Sequence, residues 1–117
     1  PKGMEYAQKA ITIAPNSPQA YKIRADLYYA AADYYTSGRQ ITFEDKLVYK
    51  LAYDDYLKVM ELGDASVKSR IDHLKEYLIP TPEEWFFNRY DANGAMRTSF
   101  RPLSPEYKWI TVEPKKN

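Results

Sequence analysis

The chain has 117 residues, enough for one modest hydrophobic core but not for two independent domains. Hydrophobic residues make up 44% of it and charged residues 28%, and no apolar run approaches the ~20 residues that span a bilayer, so a disordered tail and insertion into a membrane are both excluded. The formal charge of +1 argues against the strong phosphate attraction on which most nucleic-acid-binding domains depend.

The first two of four predicted helices precede residue 37. The first covers residues 6 to 13, where apolar residues recur at helical spacing, and it ends before Pro15. The second covers residues 18 to 36, because Ser17 can cap its free N–H groups and a proline follows at the first helical position. Gly38 ends this helix, since glycine readily adopts the left-handed conformation that closes many helices.

The third and fourth helices are marked by caps and apolar stripes. Thr42 and the acidic turn after it predict a helix over residues 43 to 62. Asp64 can cap a fourth helix over residues 65 to 79, which Pro80 ends. The apolar stripe of this fourth helix comprises Val67, Ile71, Leu74 and Leu78.

After the fourth helix the chain becomes rich in proline and long helices end. Thr81 begins a capping sequence that predicts a short helix through about Asn88, and residues 91 to 94 (Asp-Ala-Asn-Gly) predict an Asx turn. Residues 96 to 100 and 107 to 112 are β-prone, which predicts a small β-hairpin or an extended docking arm. In either case we expect no long regular strand.

The sequence lacks the residue patterns of a catalytic or metal site. His73 is the only histidine and there is no cysteine, so thiolate and histidine metal clusters are excluded. The adjacent acids at 54 and 55, and at 83 and 84, point in different directions on a helix and do not form a catalytic pair. The Asp91 segment lacks the later oxygen ligands of a calcium loop, and four glycines form no phosphate loop. We therefore expect a protein that is not an enzyme and that has no cofactor.

Small and aromatic residues recur at a regular spacing along the first three helices. They comprise Ala10 and Pro15, then Tyr21, Arg24, Ala25 and Tyr28, then Ala52, Tyr56 and Val59. This spacing resembles the tetratricopeptide repeat, whose unit is ~34 residues of paired antiparallel helices, over residues 3 to 78. Alanines are small where two helices approach closely, so Ala25 and Ala52 are expected to be buried at helix contacts.

Three departures from this repeat pattern are informative. Arg24 stands where the pattern prefers leucine. Between Tyr28 and Ala52 the chain is about 15 residues longer than the repeat, which predicts a protruding tip at residues 38 to 42. The first helix resembles the second half of a repeat that began upstream, and the fourth resembles a terminal capping helix. The chain thus resembles the carboxyl-terminal end of a longer repeat protein.

The resemblance implies an all-α fold, with antiparallel helix hairpins over residues 1 to 79 and a mostly irregular tail over residues 80 to 117. It implies a non-catalytic scaffold that binds a protein or peptide, with upstream repeats of the same parent chain as further partners. Binding would use the groove lined by the first helix of each pair. Carried over by position, this groove comprises Gln19, Lys22, Asp26, Tyr29, Lys68, Ile71 and Lys75. The lysines would attract a carboxylate or an acidic peptide, and ordinary solvated helix charges are the alternative interpretation.

Two other functions stay open. One is a purely structural cap of the parent chain, whose own tail would cover Lys22, Asp26 and Tyr29, whereas a binding module would leave them open. The other is an accessory domain of an upstream enzyme. Such modules resemble those frequent in bacterial envelope assemblies, which favours a bacterial periplasm or cell envelope as the location.

The aromatic residues also allow more than one interpretation. The chain has twelve tyrosines, which are expected either to pack between helices or to form an aromatic protein-binding surface. Aromatics interleaved with arginines would also suit stacking on single-stranded nucleic acid, but the near-neutral charge disfavours this. In the tail, Trp85 and Trp109 are expected to be buried anchors that hold it against the helices.

Overall fold

The computed structural model describes residues 2–116, and this part of the chain contains five α-helices and no β-strand. The helices are α1 (Lys2–Ile13), α2 (Pro18–Thr36), α3 (Phe43–Glu61), α4 (Lys68–His73) and α5 (Pro82–Phe87). A 3₁₀ turn (Ala65–Val67) precedes α4 and a π-helical turn (Leu74–Leu78) follows it, so these three form one fourth helical segment over residues 65–78. The predicted all-α class is confirmed. No helix in residues 2–116 combines the length and the apolar character needed to cross a bilayer.

The helix ends follow the capping residues. Thr42 and Asp45 form a capping box at the start of α3, in which each side chain accepts a hydrogen bond from the other residue's backbone N–H. Thr81 and Glu84 form a second capping box at the start of α5. Ser17 has the extended backbone of an N-cap, but its side chain accepts no hydrogen bond from the described residues. Proline at the first position therefore marks the start of α2 without a side-chain cap.

The core lies between α2, α3 and the fourth helical segment. Hydrogen bonds join Arg24 to Asp55 and Tyr49 to Asp33, so α2 and α3 run antiparallel. Ala25 and Ala52 are completely buried, as predicted. The core comprises mainly Tyr28, Ala32, Val48, Tyr49, Tyr56, Val59, Val67, Ile71 and Leu74.

Arg24 occupies the position where the repeat pattern prefers leucine because it forms an ion pair inside the helix bundle. Its Nε and Nη2 atoms donate to the two carboxylate oxygens of Asp55 at 2.7 and 2.9 Å. Its Nη1 atom donates to Oε1 of Gln8 at 3.4 Å. One guanidinium thus links α1, α2 and α3, and such bidentate geometry is specific to arginine.

The tail packs against α3 and one side of α2. Trp85 is buried and makes edge-on contacts with Phe43 and Phe100. Trp109 stacks on Tyr28 with 6.1 Å between ring centroids, but it is only half-buried because it also lines an open apolar cleft. The expectation of a buried anchor is therefore confirmed for Trp85, whereas Trp109 is a half-buried contact.

The two β-prone runs at 96–100 and 107–112 form no strand, and the described tail holds one isolated bridge, between Tyr90 and Met96. Several backbone N–H groups of the tail donate to carboxylates, and one of them, that of Phe100 in the first run, donates to Glu113 at 2.8 Å. Leu103 donates to Glu44 at 2.7 Å, and Lys115 donates to Asp54 at 2.9 Å. Prolines between the two runs remove further donors, so the tail is an extended docked arm.

Candidate functional site

A polar groove of about 280 Å³ lies between α2 and the fourth helical segment. It is lined by Lys22, Asp26, Tyr56, Ser66, Val67, Ser69 and Arg70. Lys22 and Asp26 were predicted from the repeat resemblance to line a groove, and the structure places both of them there. Its two walls are α2 and the fourth helical segment, and Tyr56 of α3 lies between them.

The floor of the groove is a hydrogen-bond network of three side chains. The Tyr56 hydroxyl donates to Oδ1 of Asp26. Arg70 donates from Nη1 to the Tyr56 hydroxyl at 3.1 Å and to Oδ1 of Asp26 at 3.5 Å. Burial and then the bond to Asp26 raise the pKa of Tyr56, while the hydrogen bond to Tyr56 raises the pKa of Arg70. At neutral pH the floor therefore presents a charged guanidinium and a neutral phenol, both hydrogen-bonded to the Asp26 side chain.

The predicted residue Tyr29 is not among those that line the groove, but its ring contacts the Arg70 side chain. Its ring meets Tyr49 edge-on at 5.6 Å, and the Arg70 guanidinium lies 4.8 Å from the ring centroid. Burial raises the pKa of Tyr29 as well. The cation and the ring hold each other in place, which limits the freedom of the Arg70 side chain. The predicted residue Gln19 is exposed near the amino end of α2.

The predicted residues of the fourth segment lie elsewhere. Lys68 forms an exposed ion pair with Asp72 at 3.1 Å, Lys75 is exposed, and Ile71 is buried in the core. Helical periodicity identifies the core stripe and its two flanking faces, but only packing against α2 decides which face borders the groove. The face that borders it carries Ser66, Ser69 and Arg70.

Ser66, Ser69, Tyr56 and Arg70 line the groove but were not predicted to do so. Tyr56 was expected to fill the space between neighbouring helices, and Arg70 was assigned no role. Their hydroxyl and guanidinium groups were the available signal, because a tyrosine or arginine between helices needs a polar partner.

The tail leaves this groove open. The aromatic rings of the tail contact Tyr28 and Tyr35 of α2. Its hydrogen bonds with the rest of the fold are made with α3 and with Arg39 in the segment between α2 and α3. Within residues 2–116, no hydrogen bond or ring contact joins the tail to Lys22, Asp26 or Tyr29. The carboxylate of Asp26 keeps about half of its side-chain surface exposed.

The groove is lined mainly by polar and charged side chains. It offers hydroxyls, cationic donors and a carboxylate acceptor, all of which can hydrogen-bond a polar ligand. In the described part of the chain, no three His, Asp or Glu side chains are grouped closely enough to hold a metal ion. His73 lies with its ring 5.2 Å from that of Tyr77.

Comparison with protein-family models, with curated proteins and with solved structures found no match to this chain.

Proposed function

We propose that this chain is a non-catalytic protein-interaction module with a tetratricopeptide-like arrangement of helices, and that it binds a protein or peptide segment between α2 and α4. The observation that carries the proposal is the network of Asp26, Tyr56 and Arg70. This network is ordered before any ligand binds and lies in a groove that the tail does not cover. Such preorganisation reduces the entropy lost on binding.

The groove chemistry favours a peptide that carries an acidic side chain. A peptide backbone has both donors and acceptors, which match Asp26 on one side and the hydroxyls of Ser66 and Ser69 on the other. Lys22 and Arg70 add positive charge at the same place and would orient a carboxylate. The lining of the groove therefore recognises polar groups more than large apolar side chains.

A structural role within a longer repeat protein is the second candidate, and a different observation favours it. Tyr6 and Ile13 on α1 are 65% and 83% exposed, which is unusual for large apolar side chains on a packed helix. Further helices of a parent chain would cover this face in the way that successive repeats cover one another. The two roles use different surfaces and are compatible.

The test is a peptide-display selection on the native chain, followed by titration of the selected peptides against variants. The triple variant Lys22→Ala, Asp26→Ala, Tyr29→Ala should keep its helical circular dichroism and bind the selected peptides at least about tenfold more weakly. The matched control is Lys68→Ala, Asp72→Ala, which removes an exposed ion pair outside the groove and should bind like the native chain. Equal binding by the triple variant would move the site to another surface.

A further inference from the structure

The outer face of α5 and the loop after it expose four large apolar side chains within eleven residues. Phe86, Phe87, Tyr90 and Met96 are 56%, 76%, 48% and 64% exposed. Single exposed apolar residues are normal on a protein surface, but a contiguous group of them marks an interaction site. We call these four residues together with Arg89 the α5 patch. It shares no residue with the groove between α2 and α4.

The loop that carries the α5 patch is held in one conformation. Arg97 donates its backbone N–H to the Arg89 carbonyl at 2.8 Å, and Asp91 donates to the Ala95 carbonyl at 2.8 Å. Oδ1 of Asp91 accepts from the backbone of Asn93 and Ala95, which is the predicted Asx turn. A partner would therefore meet an ordered surface and would not pay for ordering the loop.

A second set of contacts fixes this loop to the helices. The Arg97 side chain is almost fully buried and forms an ion pair with Glu44 of α3 at 3.2 Å. Its guanidinium also lies 4.9 Å from the centroid of the Phe100 ring. The α5 patch is thus presented by a rigid part of the fold.

Arg89 lies among the exposed rings of the patch. Its guanidinium carbon is 3.6 Å from the Phe86 ring centroid and 4.8 Å from that of Tyr90, and its Nη1 donates to the Phe86 carbonyl at 2.6 Å. In the described chain, four other arginines form ion pairs with acids: Arg24, Arg39, Arg70 and Arg97. No described acid is within ion-pair distance of Arg89, so its charge is balanced by solvent and ring faces alone. A stacked guanidinium keeps donors at its edge that match a carboxylate.

We propose that the α5 patch is a second interaction surface, and that its partner is a short protein segment in which an apolar side chain lies next to a carboxylate. The carboxylate would accept hydrogen bonds from Arg89, while the apolar side chain would cover Phe87 and Met96. Charge complementarity and apolar contact then act at the same place, as in the energetic centre of many interfaces.

Single-stranded nucleic acid is the competing partner class for arginine beside aromatic rings. It is less suited to this surface because a phosphate backbone needs a row of cations, whereas the patch has one. A single carboxylate, in contrast, needs only one cationic partner, which Arg89 supplies.

The test is an NMR titration of the ¹⁵N-labelled full chain with two capped pentapeptides, Glu-Phe-Glu-Phe-Gly and Gln-Phe-Gln-Phe-Gly. The acidic peptide should shift the amide signals of residues 86 to 97 in the native chain, and to the same extent in the triple groove variant Lys22→Ala, Asp26→Ala, Tyr29→Ala. The glutamine peptide should bind about tenfold more weakly, which is the size expected for a charge-assisted hydrogen bond. A groove variant that has lost its own peptides should still bind the acidic pentapeptide, so the two proposals fail separately.

Two variants and one matched control make this proposal falsifiable. Arg89→Gln should weaken binding of the acidic peptide about tenfold, and Arg101→Gln, an exposed arginine of the same tail, should leave it unchanged. Phe87→Ser should also weaken binding, and this side chain is too exposed for its loss to unfold the chain. Equal affinity for both peptides, or no effect of either variant, would overturn the proposal. Tighter binding of oligothymidine at the same amide signals would overturn it as well.

Discussion

The helical core and the tail use different means to satisfy their backbones while burying aromatic side chains. In α2 and α3 the backbone hydrogen bonds lie within each helix, so alanines and tyrosines are free to pack between them. In the tail, backbone donors such as those of Leu103 and Lys115 reach carboxylates of α3 that lie about 60 positions away in the sequence. The core is therefore specified by local patterns and the tail by side chains of another element.

Asp45 is the residue at which these two regions meet. Its carboxylate belongs to the capping box of α3, and it also accepts a hydrogen bond from the Tyr107 hydroxyl at 2.6 Å. Arg39 donates to both carboxylate oxygens, at 2.6 and 2.9 Å. Although burial acts in the opposite direction, the hydrogen bonds from Arg39, Thr42 and Tyr107 lower the pKa of Asp45 to about 2. The tip between α2 and α3 is thereby held to the tail.

The largest expected effect comes from removing one region altogether. Truncation after Ile79 deletes Trp85, Tyr107 and Ile110, which are all buried, and each such side chain contributes roughly 1.5 to 3 kcal/mol. We expect the melting temperature to fall by at least about 10 °C and the truncated chain to aggregate. Thermal unfolding and size-exclusion chromatography measure both effects. A truncated chain as soluble and heat-resistant as the native one would show that the tail adds nothing to the core.

The second prediction concerns the contacts of Asp45 with Arg39 and Tyr107, which we call the junction of the two regions. A single substitution should disrupt the junction without removing either region. Asp45→Ala removes the acceptor of three side chains and leaves the buried Tyr107 hydroxyl without its hydrogen-bond partner. We expect a loss of about 3 kcal/mol in the free energy of unfolding, measured by urea denaturation. Glu106→Gln removes only the weaker, partly exposed partner of Arg39 at 3.4 Å and should change stability by less than about 0.5 kcal/mol. Equal effects of the two variants would contradict the central role of Asp45.

The difference between the two regions explains what could be predicted. The bounds of α2 were predicted to the residue, because a proline start and a glycine stop are local signals. The starts of α3 and α5, directly after their N-caps Thr42 and Thr81, were also predicted from local signals. Burial of Ala25 and Ala52 followed from helical spacing alone.

The path of the tail could not be predicted, because its determinants are distant carboxylates. Nothing near Leu103 in the sequence indicates that its N–H will donate to Glu44. The orientation of the fourth segment was unpredictable for a related reason. It changes from a 3₁₀ turn to α4 and then to a π turn, closed by a hydrogen bond from Ile79 to the Leu74 carbonyl at 3.0 Å. Its packing against α2, which no local signal indicates, places Arg70 and not Lys68 at the groove.

The third prediction tests close packing within the core. Ala25→Leu or Ala52→Leu should overpack the contact between α2 and α3 and cost about 1 to 3 kcal/mol, because both positions are fully buried. Ala30→Leu is the matched control, since Ala30 lies on an exposed face of α2. The control should change the free energy of unfolding, measured by urea denaturation, by less than about 0.5 kcal/mol. Native-like midpoints for both buried variants would argue against close helix packing.

The smallest expected effect is a difference in acid response between the junction and the core. Asp45 has its pKa lowered from an ordinary value of 3.8 to about 2, so its contribution is complete above the unfolded pKa and is lost as the pH falls towards 2. Burial raises the pKa of Asp55 and outweighs the opposing effect of its ion pair with Arg24, so the contribution of Asp55 is complete below 3.8 and is lost as the pH rises through its folded value. The two carboxylates should therefore respond to acid with opposite signs.

Urea unfolding of the native chain, Asp45→Asn and Asp55→Asn between pH 7 and pH 3 measures this difference. The stability gap between the native chain and Asp45→Asn should be constant above about pH 5 and should narrow below about pH 4, because there the unfolded chain takes up a proton at Asp45, whereas the folded chain keeps this carboxylate charged until about pH 2. The gap for Asp55→Asn should change in the opposite direction on acidification, since protonation relieves the cost of burying that charge. Parallel pH profiles for the two variants would mean that the junction and the core hold their carboxylates in the same way, and the contrast between the two regions would then rest on backbone hydrogen bonding alone.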